Sequence, residues 1–256
     1  MGTEIVNMRF ITEFKLGVSI YFHAVKFINA NKLWYLLIIP SLVNLFGFIL
    51  VGYVSWVYSE DLIDYLTDLA GMNSENQVLV FVQFIFSFVI RLIVLLLYFK
   101  LYRYIVLIFF APMLAYISDK IQEIDTGINK PFTITQFTSD IYRGMTVAIK
   151  NLMVELILTV ALIFLAFIIP IFAILVPWAI FIIESYYYGF AMIDYRNEFK
   201  NYSAKESRAI INDHKGLAIG VGTMFNLILL VPVLGALVAP VIAVVAGGLA
   251  INKADI

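Results

Sequence analysis

Three charged side chains stand inside long apolar stretches of this chain: Arg91, Glu155 and Glu184. Charge in hydrocarbon is costly enough to mark a functional group by default. Asn44 and Asn226 join them as neutral polar groups in similar surroundings. Arg91 reads either as a working cation or as half of a structural pair with a carboxylate or backbone carbonyls. Glu155 lies near the end of its apolar block, where it is expected to reach water. Glu184 is expected to be deeper, although Tyr186, Tyr187 and Tyr188 follow it and mark a nearby interface.

The run Gly216-Leu-Ala-Ile-Gly220-Val-Gly222 opens the last apolar block. Free N–H groups at a helix start attract anions, and glycines let one come close. The same spacing serves helix packing through small residues, and packing is the stronger reading. Enzyme chemistry finds little support. There are two histidines and no cysteine, and no nucleophile elbow, zinc-helix signature or phosphate loop. The triplet Asp213-His214-Lys215 reads as a solvated face. No metal or cofactor is expected.

The elements that position these groups follow from composition. Of 256 residues, 62% are hydrophobic and 14% charged, and the mean hydropathy is +0.95. Soluble domains carry about 25% charged residues. Lipid must therefore be the solvent, and the expected fold is an all-α integral membrane protein forming one domain over 1–256. The net charge of −1 gives no sign of nucleic-acid binding. Residues 5–30 have Phe10, Phe14, Val18, Tyr21 and Val25 at helical spacing, which predicts an amphipathic helix lying in the membrane interface or packed on the protein. Arg9, Glu13 and Lys15 argue against a cleavable signal. Residues 33–58 are uncharged and long enough to span. An acidic loop at 59–77 follows. A second span begins at Val78, and 78–122 reads as one long helix or as a span followed by an interfacial helix. A short helix is expected from about Ser139.

The blocks 151–193 and 217–252 complete the chain. Lysines and arginines flank both on each side, and none falls within 59–77. The excess of basic residues on cytoplasmic loops then puts both termini inside and 59–77 outside. Each late block begins and ends inside, so each is a hairpin. Their midpoints, IIPIFAILVPW and LVPVLGALVAP, lack a polar turn. The last block leaves about 24 Å per limb, against a hydrocarbon core of about 30 Å. It is expected to be re-entrant; 151–193 either does the same or crosses fully. Hairpin tips inside lipid need shielding by protein, which favours an oligomer or a compact bundle.

Several stretches in order resemble the CysZ family of bacterial sulfate permeases and the related etoposide-induced-protein family. They are Ile39-Pro40-Ser41-Leu42-Val43-Asn44 and Ala111-Pro112-Met113 running to Asp119. Asp194-Tyr195 with Lys205-Glu206 and Lys215 follows, then Leu230-Val231-Pro232-Val233-Leu234 with Ala239-Pro240. The resemblance implies two long transmembrane helices with partly penetrating hairpins, an oligomer, and sulfate uptake across the bacterial inner membrane into the cytoplasm for cysteine synthesis.

One stretch departs from the family. Its sulfate permeases carry P-G-x-R-R before the first span, with the arginine pair implicated in sulfate binding; this chain has Asn31-Lys32-Leu33-Trp34-Tyr35. Paired guanidinium groups grip a tetrahedral oxyanion, whereas Trp and Tyr do not. The expected substrate site is Lys32, Leu33, Trp34 and Tyr35, with Arg91, Gly216 and Gly220. The expected partners are sulfate or a similar oxyanion, the lipid bilayer and further copies of the chain. A non-transporting scaffold or lipid-interacting protein of the same fold is the alternative.

Overall fold

The computed structural model describes residues 2–69, 80–82, 84–85, 88, 112–128, 133–231 and 234–254, and every regular element among them is helical. Helix α1 is Gly2–Ala30 and α2 is Tyr35–Leu69. Helix α3 is described over 112–126. Helix α4, Ile134–Ile168, is joined by a 3-10 turn at Pro170–Ile174 to α5, Val176–Phe199. Then come α6, Ala204–Asp213, α7, Lys215–Leu229, and α8, Leu234–Lys253. The chain divides into two compact units, Met1–Leu42 with Leu107–Ile256, and Val43–Val106. The second holds the rest of α2 and the helical residues 80–82, 84–85 and 88. Most of the expected 78–122 helix, including Arg91, lies outside the described residues.

Two boundaries differ from expectation. The acidic stretch after 59 is helix up to Leu69, so α2 is 35 residues long, about 52 Å. Asp and Glu end a membrane-compatible stretch without ending a helix, because their helix propensities are only slightly unfavourable. Likewise α4 begins at Ile134 and runs unbroken into the apolar block, rather than forming a short separate helix. That places Glu155 in the interior of α4, fully buried, whereas Glu184 is half-buried. The expected order of depth is therefore reversed.

The core of the first unit is built on α7, which packs between α1 and α5. Glycines set both seams. A Cβ on Gly216 or Gly220 would strike the carbonyls of Phe10 and Phe14 on α1, and one on Gly17 would meet Leu217 and Val221. On the other face, Gly189 of α5 abuts the Ala218 carbonyl and Gly222 abuts that of Ser185. Backbones come this close only where side chains are missing. Two polar pins cross the seams: the Tyr21 hydroxyl donates to the Val221 carbonyl at 2.8 Å, and the Asn226 amide donates to Ser185 Oγ at 3.1 Å. Helix α1 thus buries Gly17, Ile20, Tyr21, Ala24 and Ile28 against the protein and leaves Met8, Ile11 and Phe22 exposed.

Segments Tyr142–Ile168 and Val176–Phe199 are long and apolar enough to cross a membrane. Ile163, Phe164, Phe167, Ile171 and Trp178 are exposed along this hairpin. Contiguous apolar surface of this extent is not stable in water.

Candidate functional site

The turn from α1 to α2 carries four of the expected site residues. The Leu33 N–H donates to the Ile28 carbonyl at 2.9 Å and the Lys32 N–H to that of Asn29 at 3.2 Å, closing the end of α1 in a Schellman motif. Such a closure needs a left-handed residue, and Lys32 supplies it with φ +56°. This is the position of glycine in the P-G-x-R-R pattern. Leu33 is buried, and so is Ile28, the apolar pair that accompanies this motif. Trp34 and Tyr35 are exposed, and the Trp34 indole donates to Asn29 Oδ1 at 2.5 Å.

Gly216 and Gly220 lie elsewhere. They touch α1 at Phe10 and Phe14, and sixteen residues of helix, about 24 Å, separate Phe14 from Ala30. The structure therefore groups Lys32, Leu33, Trp34 and Tyr35 but does not bring the two glycines to them. Asn226 is buried in the α5–α7 seam, and the side chain of Asn44 is outside the described residues.

Beside this turn, residues of α1, the end of α3 and the last turn of α8 line an open groove of about 540 Å³. Its polar lining is His23, Lys26, Asn31, Asp125, Asn252 and Lys253. Asn252 also ends a polar network that runs through the first unit. Its amide donates to Asp125 Oδ2 at 2.7 Å and to Gln122 Oε1 at 2.9 Å. Its Oδ1 accepts from Arg196 Nε at 2.8 Å. Arg196 reaches Asn197 at 3.3 Å, and Asn197 donates to Ser207 at 2.9 Å. The Ser207 hydroxyl donates to Asp194. Asp194 in turn accepts from both terminal nitrogens of Arg143, at 3.0 and 3.1 Å, and Arg143 also reaches Glu198 at 3.0 Å. Five helices, α3, α4, α5, α6 and α8, are tied together by these contacts.

Neither groove nor network was expected from the sequence, where the basic residues flanking the apolar blocks served only to orient the chain. The one available signal was Asp194, Asn197 and Glu198 at helical spacing where the apolar block gives way to charge. His214 is also more than a solvated residue. Its Nδ1 lies 2.8 Å from the Glu13 carboxylate, and an Arg9 terminal nitrogen lies 2.9 and 3.0 Å from its two ring nitrogens, so the ring joins two polar residues of α1. At the start of α6 the Ser203 hydroxyl and backbone N–H hold the exposed Glu206 carboxyl below its ordinary pKa, in a capping box.

The chain matches no curated protein. Residues 20–240 match the family described as Sulfate transporter CysZ/Etoposide-induced protein 2.4. The match spans most of the chain and includes α1 from Ile20, the groove's α3 wall, the Arg143–Asp194 network and the glycine seams of α7. Together with the two membrane-length helices, this makes the chain a membrane protein belonging to the Sulfate transporter CysZ/Etoposide-induced protein 2.4 family.

Proposed function

We propose that the chain is a permease for a small inorganic anion, sulfate first, carrying it into the cytoplasm. The observation that carries this reading is membership of a transporter family over residues 20–240. In this reading the chain is a single membrane-embedded domain of the bacterial inner membrane. The α4–α5 hairpin crosses fully in this reading: its segments of 27 and 24 residues, their charged Arg143 and Asp194–Glu198 ends included, are about 40 and 36 Å long, against a hydrocarbon core of about 30 Å. The α7–α8 hairpin is re-entrant, supported by the length of α7, 15 residues or about 22 Å. Its limbs are shielded by α1 and α5, as irregular backbone in lipid requires. Helix α1 rests at the interface by its exposed face, which carries Lys15, Lys26 and Phe22. The distribution of basic residues supports cytoplasmic termini. An oligomer would cover apolar surface left exposed by the α4–α5 turn.

The substrate site in this reading centres on the start of α2 and on Lys32, the one full positive charge of the Asn31–Tyr35 stretch. Gly216 and Gly220 would serve a different point on the path, and Arg91 a third.

A second reading, a non-transporting scaffold of the same fold, is favoured by one observation: Trp34 and Tyr35 stand where the family's sulfate permeases have arginines. Radiolabelled sulfate uptake into proteoliposomes, compared with phosphate and chloride, separates the two. Saturable sulfate uptake above protein-free vesicles supports the permease. Absence of uptake of any of the three anions by folded protein sinks it.

A further inference from the structure

The groove between α1, α3 and α8 lies outside the residues assigned to the anion path, and its lining is not that of a bare-oxyanion site. At about 540 Å³ it is far larger than one tetrahedral anion and falls within the range of pockets for extended organic ligands. Its accessible walls include the apolar Phe27, Ala30 and Leu249, backed by the buried Ile20. Lys26, Lys253 and His23 stand exposed at the same groove. Neither lysine has an ion-pair partner among the described residues. The one acid of the lining, Asp125, opposes an anion, but its Oδ2 already accepts from Asn252. The carbonyl end of α1, which would also repel an anion, is closed by the Lys32 and Leu33 N–H groups. What remains is an amphiphilic slot: two unpaired cations over an apolar floor.

The geometry points to a binding site for the phosphate headgroup of an anionic phospholipid, with Lys26 and Lys253 on the phosphate and the glycerol and first acyl carbons against Phe27, Ala30 and Leu249. Basic clusters near a membrane surface recruit anionic lipid, each lysine contributing about fivefold in affinity. The inference rests on the chain's place in a membrane and not on transport.

Native mass spectrometry of the detergent-purified full chain tests it, with dioleoyl phosphatidylglycerol and dioleoyl phosphatidylcholine as probes. The expected result is retention of one phosphatidylglycerol at least about tenfold over phosphatidylcholine. The Lys26→Ala, Lys253→Ala double variant loses most of this preference. The Lys26→Arg, Lys253→Arg variant keeps it, and so does Lys15→Ala, Lys205→Ala, which removes exposed lysines outside the groove. Equal retention of the two lipids by the parent overturns the assignment, as does a preference that survives the double alanine change. Calorimetric binding of inorganic sulfate that depends on Lys26 and Lys253, with no lipid preference, also overturns it and gives the groove to free oxyanion. Sulfate uptake that fails while the lipid preference holds overturns the permease alone.

Discussion

Arg143 on α4 grips Asp194 on α5 through two parallel hydrogen bonds of 3.0 and 3.1 Å, and both side chains are largely withdrawn from solvent. This clamp joins the two limbs of the longest hairpin and connects through Ser207 to α6. Arg143→Ala leaves Asp194 and Glu198 without this cation. Breaking a buried pair costs about 3–5 kcal/mol. Thermal unfolding in detergent should show a clear drop for the single variant. The Arg143→Ala, Asp194→Ala double variant should lose less than the two single losses combined, because the coupled partner is gone. Additive losses would show that the pair is not coupled.

Lys32 offers a second test, with opposite signs in two measurements. Its left-handed backbone costs a non-glycine residue about 1 kcal/mol or more. Lys32→Gly should therefore raise stability by up to about 1 kcal/mol, less the added chain entropy. If Lys32 holds the anion, the same change should weaken sulfate binding about tenfold or more, from the loss of a charged hydrogen bond. Calorimetry and thermal unfolding on one sample decide. Stability raised with binding unchanged moves the site away from this turn.

The glycine seams predict a contrast between positions. Gly222→Ala and Gly189→Ala place a Cβ onto a backbone carbonyl, so each should destabilise or force α5 and α7 apart. Gly47→Ala meets nothing within 4 Å and should stabilise its helix by about 0.5–1 kcal/mol. Equal responses at all three would contradict the close approach.

The all-helical class was legible because lipid-facing helices need unbroken apolar runs, and Pro170 marks the break between α4 and α5. Helix ends were less legible. A charge border marks where lipid stops, which is why α2 continues through Asp61, Asp64 and Asp68 as helix. The groove was invisible because His23 and Lys26 meet Lys253 only through the tertiary fold. Gly216 and Gly220 were recognisable as packing residues from spacing alone, but the helix they touch was not.

Glu206 gives a pH-dependent prediction. Its carboxyl titrates below the ordinary value because the Ser203 hydroxyl and N–H favour the charged form. Stabilisation of the α6 start is therefore present above the unfolded pKa and fades as pH falls through the lowered folded one. Hydrogen exchange at the first turn of α6 should quicken on acidification, relative to α7. Glu206→Gln should remove most of that pH dependence, and a response that persists in this variant would assign it to another group.

Membrane sidedness can be read directly, since the chain has no cysteine of its own. A cysteine at Asn73 should react with an impermeant reagent from outside, and one at Asn201 should not. Labelling of Asn201 from outside would invert the proposed orientation.

The seams around α7 also set what can move. Gly216 and Gly220 face α1 while Ala218 and Gly222 face α5, so α7 is backbone-locked on two sides at once. A slip of about one turn, roughly 5 Å, toward the start of α7 would put Phe225 or Asn226 where Gly222 now admits the Ser185 carbonyl. Tyr21 and Asn226 add pins that such a slip would shear. If the chain carries an anion as proposed, the hinges of its cycle are expected at the ends of the α1–α5–α7 block rather than between its members.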